Sequence, residues 1–172
     1  MKRKIKNFII DVDGVLTTGQ FLYSVDGKAY KVFGPNDSDA LNLIKDKINI
    51  HMISGDKRGF GISKKRIVDD MHFPLTQVST FDRASWIKAN YDLKSTCYMG
   101  DGIFDILVFK AVGYSIAPAN AFPQTKTQAD FVTKRRGGEG AVAEACFHLM
   151  AKFYSRLRVQ EMSFKRGIGI WK

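Results

Sequence analysis

The chain has little cysteine and little histidine: two and three in 172 residues. Cys97 lies in the strand-like run Thr96-Cys97-Tyr98-Met99, and Cys146 falls on the apolar face of a late helix. Both therefore read as small core hydrophobes, and a disulfide framework is not expected. His51, His72 and His148 are scattered without ligand spacing, which argues against zinc. No apolar run approaches the roughly 18 residues that cross a bilayer. The basic start Met1-Lys2-Arg3-Lys4-Ile5-Lys6 is followed by a stretch too short and too soon acidic for a signal peptide, so a cytoplasmic protein is expected. Internal repeats, low-complexity linkers and a second domain are also missing. One domain over 1–154 and a basic tail over 155–172 are the expectation.

Acids are in the minority, 17 against 27 lysines and arginines, for a formal charge of +10. Part of the excess sits at the N-terminus and part near the end, where Lys152, Arg156, Arg158, Lys165, Arg166 and Lys172 face the single acid Glu161. Such a balance serves a solvated surface, an anionic small substrate or nucleic acid. No aromatic-basic module such as an RNP motif is present, so nucleic acid comes last. Phe164, Ile168, Ile170 and Trp171 suggest that the tail docks on something.

What is present is ordinary globular usage, 45% hydrophobic and 26% charged, at a length that supports a full core. Short apolar runs alternate with helical patterns. Ile5 to Ile10, which closes on the apolar Phe8-Ile9-Ile10, reads as a strand buried on both faces. Residues 20–33 read as a hairpin about Asp26-Gly27. Asn36 or Asp37 is expected to cap the next helix. Strands follow at 48–53, 75–78, 96–99, 114–116 and 130–132, with helices over 58–70, 82–91, 103–111 and 139–154. The alternation predicts an α/β fold, a doubly wound, mostly parallel sheet. Ligands of such sheets gather beyond the carboxyl ends of the strands.

Acids fall at those ends. Asp11-Val12-Asp13-Gly14-Val15-Leu16-Thr17 follows directly on the first strand. Of two such carboxylates, one can attack phosphorus while the other protonates the leaving oxygen and then activates water. Their mutual repulsion calls for a cation, and hard oxygen ligands point to Mg²⁺. A solvated turn or part of a calcium loop is the blander reading; an EF-hand is disfavoured because a strand precedes the motif. Ser54 offers a hydroxyl to a phosphate, or is an ordinary cap. Gly100-Asp101-Gly102-Ile103-Phe104-Asp105 places two acids four apart, either on a cation or as a helix cap that complements the macrodipole. Arg83 supplies charge to a transferring phosphoryl group, or is a solvated surface arginine.

In chain order, the Asp11 motif, Ile53-Ser54-Gly55 and the Gly100–Asp105 motif resemble three of the four signatures of the haloacid-dehalogenase (HAD) superfamily. A small β-hairpin takes the place of a cap domain. Ala129-Asp130-Phe131-Val132-Thr133 and Gly137-Gly138-Glu139-Gly140-Ala141-Val142 are similar to the end of 3-deoxy-octulosonate 8-phosphate phosphatases, whose relatives act on nonulosonate 9-phosphates. The likeness covers about residues 5–150. It implies Asp11 as nucleophile and Asp13 as acid/base. Mg²⁺ would be held by Asp11, the Asp13 backbone carbonyl and Asp101, with Asp105 in support and Ser54 on phosphate. It also implies a homotetramer in which a neighbouring subunit partly closes each site.

Three positions depart from the family pattern. Asp82-Arg83 stands where an Asp-Lys pair is usual, keeping the charge but changing its reach. Asp56 replaces the arginine usual after the second signature's glycine, and Ala143 the arginine often found before Glu144. The expected function is a Mg²⁺-dependent phosphatase acting on a small phosphorylated metabolite, a sugar-acid phosphate in the first instance. Asp37, Arg135 and Arg136 are its expected substrate contacts, although the arginines also read as solvated residues before a glycine turn. The alternatives are a phosphatase for another small phosphate, or a non-catalytic assembly protein on the same fold.

Overall fold

The computed structural model describes residues 4–158. The strands are β1 (Asn7–Asp11), β2 (Leu22–Ser24), β3 (Gly27–Tyr30), β4 (Asn49–Ser54), β5 (Leu75–Gln77), β6 (Thr96–Met99), β7 (Tyr114–Ala117) and β8 (Phe131–Val132). The helices are α1 (Pro35–Ile44), α2 (Phe60–Lys64), α3 (Arg83–Asn90), α4 (Asp105–Phe109), α5 (Pro123–Thr127) and α6 (Ala141–Phe153). A wider helical turn, Lys65–Asp70, continues α2. Six strands form one sheet in the order β5-β4-β1-β6-β7-β8, and every pairing in it is parallel. The hairpin β2-β3 stands apart as a two-stranded antiparallel sheet, tied to the body by a bridge between Thr17 and Phe33.

The doubly wound expectation holds, and the period-2 alternation of β1 shows why. Phe8 and Ile10 enter one core with Met52, Cys97, Met99 and Ile116, under Leu41 and Ile44 of α1 and Val142 and Leu149 of α6. Ile9 enters the opposite core with Ile53, Tyr98, Ile87 of α3 and Val108 of α4. All three β1 residues are fully buried, as a central parallel strand requires. Cys97 and Cys146 are buried and free, as core hydrophobes. The cap expected of Asn36 or Asp37 is different. Gly34 occupies the cap of α1 and Pro35 its first turn, where a missing N–H costs nothing. The tail expected from residue 155 lies outside the described residues beyond position 158. No helix among the described residues is long and apolar enough to cross a membrane.

Asp37 serves a different helix. The α6 cap is Gly140, in a left-handed conformation and without a side chain to offer. Asp37 supplies the missing acceptor from α1, taking the Ala143 N–H at 2.8 Å. Its other oxygen, Oδ2, is buried without a hydrogen-bond partner. Burial pushes the carboxyl up to about 6, only partly offset by the Ala143 N–H.

A raised folded-state value means that the native chain binds this proton more tightly than the unfolded chain. The stability it contributes is complete below about 3.8 and is lost as pH rises through about 6. At 1.36 kcal/mol per unit the loss is about 3 kcal/mol. Asp37→Asn keeps the capping oxygen and cannot ionise. The unfolding free energy of the wild type relative to this variant, from urea melts, is expected to fall by about 2–3 kcal/mol between pH 4 and pH 7.5. A pH-independent difference would contradict the assignment.

Candidate active site

Register brings the acids together. Asp11, last residue of β1, lies opposite Ile53, one residue before Ser54. On the other side Ile10 lies opposite Met99, two residues before Asp101. The chain therefore delivers Asp11, Ser54 and Asp101 to the same end of the sheet, where strand order reverses about β1. Gly14 makes the close approach possible. Its φ is +89°, and a Cβ there would collide with the Asp101 carboxylate. The Asp11–Thr17 loop is braced from behind: Gly138 N–H donates to the Val15 carbonyl at 3.1 Å. Asn120 also links the Gly14 carbonyl, at 2.8 Å, to the Gly137 N–H, at 2.6 Å.

Asp11, Asp101 and Asp105 each offer an oxygen within 4.8 Å of the others, the one such metal-competent group found among the described residues. Arg83 is buried among them, not solvated at the surface. Its guanidinium donates to both Asp11 oxygens, at 2.7 and 3.0 Å, to Asp105 Oδ1 at 2.7 Å and to the Tyr98 hydroxyl at 2.9 Å. Tyr98 in turn donates to Asp105 Oδ1 at 2.7 Å, and the Gly102 N–H to Asp105 Oδ2 at 2.8 Å. Asp105 thus has both oxygens engaged, while Asp101 is left facing the pocket.

Asp13 is held from the opposite side. Ser54 donates its hydroxyl to Asp13 Oδ2 at 2.8 Å, and the Lys31 ammonium sits 2.7 Å from Oδ1. Lys31 also contacts Asp56 at 2.9 Å, and Lys28 pairs with Asp56 at 2.6 Å. Burial raises the Asp56 carboxyl, but hydrogen bonds from Lys28 and Lys31 outweigh it and hold the group at about 2. Burial, with smaller repulsions from Asp105 and Asp101, pushes Asp11 well above the carboxylate range against the pull of Arg83. Burial and Asp105 together raise Asp101 to about 7.

Asp11, Asp13, Asp56, Arg83, Asp101 and Asp105 border a cavity of about 400 Å³, walled by Phe21, Ile103 and Phe104 and reached by Gly55 and Thr80. With every carboxyl ionised, Asp11, Asp13, Asp56, Asp101 and Asp105 would exceed the cations Arg83, Lys28 and Lys31 by two negative charges. Hard oxygen donors, raised carboxyls and this excess fit one divalent cation.

Of the residues expected from sequence, Asp11, Asp13, Arg83, Asp101 and Asp105 meet at this cavity, and Ser54 stands behind Asp13. Asp37, Arg135 and Arg136 do not line it. Asp37 caps α6, Arg136 is exposed, and Arg135 borders a separate groove of about 720 Å³ between α1 and α6. That groove is larger but has no comparable convergence of acids, so the chemistry belongs to the smaller cavity. Sequence reasoning missed Lys28, Lys31 and Tyr98. The signal for the lysines was Asp56 itself, an acid beside other acids that needed cations from somewhere.

Removing the guanidinium leaves two buried carboxylates facing each other. Arg83→Met is expected to cost about 3–5 kcal/mol in urea unfolding, with part of the loss restored by millimolar Mg²⁺. Arg83→Lys keeps the charge and should lose much less. Equal losses in the two variants would contradict the ion-pair role.

The profile of the haloacid dehalogenase-like hydrolase family matches residues 84–145. The chain is 34% identical to the 3-deoxy-D-manno-octulosonate 8-phosphate phosphatase KdsC of Haemophilus influenzae, over 84% of this chain and 83% of that protein. It is 30% identical to KdsC of Escherichia coli K12, over 83% of this chain and 77% of that one. The cobalt-bound structure of the Haemophilus influenzae phosphatase superposes with a TM-score of 0.73 at 30% identity, covering 87% of this chain and 90% of that chain. The Moraxella catarrhalis enzyme, solved with magnesium, phosphate and KDO, gives 0.74 at 26% identity, with 87% and 88% covered. Motif order, fold and sequence agree, and the chain belongs to the 3-deoxy-D-manno-octulosonate 8-phosphate phosphatase group of the haloacid dehalogenase-like hydrolases.

Proposed function

We propose that the protein is a Mg²⁺-dependent phosphomonoesterase that works through an aspartyl-phosphate on Asp11. Its substrate is a sugar-acid phosphate such as 3-deoxy-octulosonate 8-phosphate or a nonulosonate 9-phosphate. The observation that carries the mechanism is the grouping of Asp11, Asp101 and Asp105 beside Asp13. The Asp11 carboxylate, the Asp13 carbonyl and Asp101 would hold Mg²⁺, with Asp105 in support. When bound, the ion supplies the positive charge that lets an anionic ester approach carboxylates.

The chain's own groups do the rest. Arg83 grips both oxygens of Asp11 and so fixes the direction of attack. An Asp11 oxygen forms a bond to phosphorus as the ester P–O bond breaks, and Asp13 gives its proton to the departing oxygen. Asp13 then takes a proton from the attacking water, which releases inorganic phosphate and restores Asp11. Ser54 contacts phosphate only if it re-aims a hydroxyl that now points at Asp13.

Substrate choice rests on the relatives, and one observation favours a second reading. Arg83, Lys28 and Lys31 are each already paired with carboxylates of the pocket. A sugar-acid carboxylate would be met by Arg135 or Arg136, or by a neighbouring subunit. A phosphate ester without a carboxylate needs none of these. Cytoplasmic placement is part of the same proposal, and so is a homotetramer joined through the hairpins. For the latter, Phe21, Tyr23, Val25 and Tyr30 are exposed together on and beside the hairpin, Val25 fully so.

With Mg²⁺ present, 3-deoxy-octulosonate 8-phosphate is expected to be hydrolysed in preference to sugar phosphates lacking a carboxylate. EDTA should abolish turnover, and Asp11→Asn should lower kcat by roughly 10⁴-fold or more. Equal kcat/KM for acid and neutral sugar phosphates would favour the second reading, and activity surviving in Asp11→Asn would end the nucleophile assignment. Light scattering should give four subunits, and Tyr23→Ser with Val25→Asp should yield smaller species. A monomeric wild type would exclude the hairpin interface.

A further inference from the structure

The hairpin contributes more to the site than a wall. Lys31, one residue beyond β3, carries an ammonium whose side chain is 1% exposed. An ammonium has three donors. Here three oxygens surround it: Asp13 Oδ1 at 2.7 Å, Asp56 Oδ2 at 2.9 Å and Ser63 Oγ at 2.8 Å. None is left for a phosphate or a substrate carboxylate, so Lys31 is not a substrate ligand in this arrangement.

The Asp13 carboxylate is fixed at both oxygens, Oδ1 by Lys31 and Oδ2 by Ser54. Its side chain keeps 21% exposure toward the cavity, and each oxygen retains a further lone pair. It can therefore exchange a proton with a substrate while staying anchored. The anchor is itself held. Asp56 takes Lys28 at 2.6 Å and the Gly59 N–H at 3.1 Å, while its own N–H donates to Ser54 Oγ at 3.1 Å. Packing at Gly59 is close enough that a Cβ would meet Asp56, Lys31 and Lys28 together.

We propose that Lys31 is a positioning residue for proton transfer, through which the β2-β3 hairpin sets the orientation of Asp13. The proposal rests on the acid/base reading of Asp13 given above and adds the group that aims it. The hairpin, Asp56 and Ser54 then act as one unit on the acid/base, separate from the Arg83 unit that holds the nucleophile.

The test compares two aryl esters with nearly the same shape. 4-Nitrophenyl phosphate releases a stable anion and gains little from a proton donor. Phenyl phosphate releases a much more basic oxygen and depends on one. The readout is kcat/KM, which covers the steps up to loss of the leaving group and so excludes hydrolysis of the phosphoenzyme. Lys31→Met is expected to lower kcat/KM for phenyl phosphate by about tenfold more than for 4-nitrophenyl phosphate, and Asp13→Asn by a larger factor in the same direction. Lys28→Met, which reaches Asp13 only through Asp56, should shift the ratio between the esters by less than Lys31→Met does. A Lys31→Met variant that loses equally on both esters has suffered only a structural defect, and the proposal falls. If Asp13→Asn shows no selective loss on phenyl phosphate, the acid/base reading falls and takes the proposal with it.

Discussion

Crowding of like charge at the carboxyl end of the sheet is the constraint around which the molecule is arranged. Parallel pairing of β1 with β4 and β6 forces Asp11 and Asp101 into one small volume. The loop beyond β1 adds Asp13, and the first turn of α4 adds Asp105. Two unit charges a few ångströms apart repel by about 4 kcal/mol at an effective dielectric of 20, and the burial of Asp11 adds a desolvation cost. Left alone, such a cluster keeps protons, and Asp11 and Asp101 are accordingly raised. Holding these carboxyls ionised takes cations, which the chain either supplies or recruits. It does the first with Arg83 and Lys31, and the remaining excess of two charges is the place for the second.

The two cations divide the acids between them. Arg83 comes from the start of α3 and reaches Asp11 and Asp105 from inside the fold, anchored by the Tyr98 hydroxyl at the centre of β6. Lys31 comes from the hairpin and reaches Asp13 from outside. Asp11 is therefore tied to the body of the fold, whereas Asp13 is held between the hairpin and Ser54 at the end of β4. Behind both, the Gly137-Gly138 turn braces the Asp11–Thr17 loop, directly through Gly138 and by way of Asn120 through Gly137. The glycine-rich stretch near the end of the chain thus supports the site through its backbone, and the neighbouring Arg135 points its chemistry at another groove.

Much of this was legible in the sequence, and the reasons separate cleanly. Strand ends could be read because β1, β4 and β6 each carry an apolar stretch that stops at polar residues, and Asp11, Ser54 and Asp101 sit at or just past those stops. Arg83 could be read only as a choice between a charge for a phosphoryl group and a solvated surface residue, because a single arginine at a helix start looks the same in both cases. Asp37 was misjudged because an acid in the first turn of a helix reads as that helix's own cap or as a ligand. That it caps α6 depends on packing between helices more than a hundred positions apart. Lys28 and Lys31 were missed because strand alternation places residues three apart on opposite faces. The register shift between Leu22 and Tyr23, and the end of β3 at Tyr30, release the hairpin from that rule.

Asp56 joins these threads. Taken alone, an acid where the family usually carries an arginine adds a fifth negative charge to a site already crowded with them. Lys28 and Lys31 remove that objection, since both bind Asp56 and hold it ionised at about 2. Lys31 can do so while gripping Asp13 only because its side chain is buried between the two. The acid after Gly55 and the two hairpin lysines therefore form one interdependent set. An arginine at position 56 by itself would place three cations against one another and withdraw a partner from Lys31, which also contacts Asp13. Any effect of Asp56 on substrate choice should for that reason be sought in the hairpin and the 55–59 loop changed together, not in either alone.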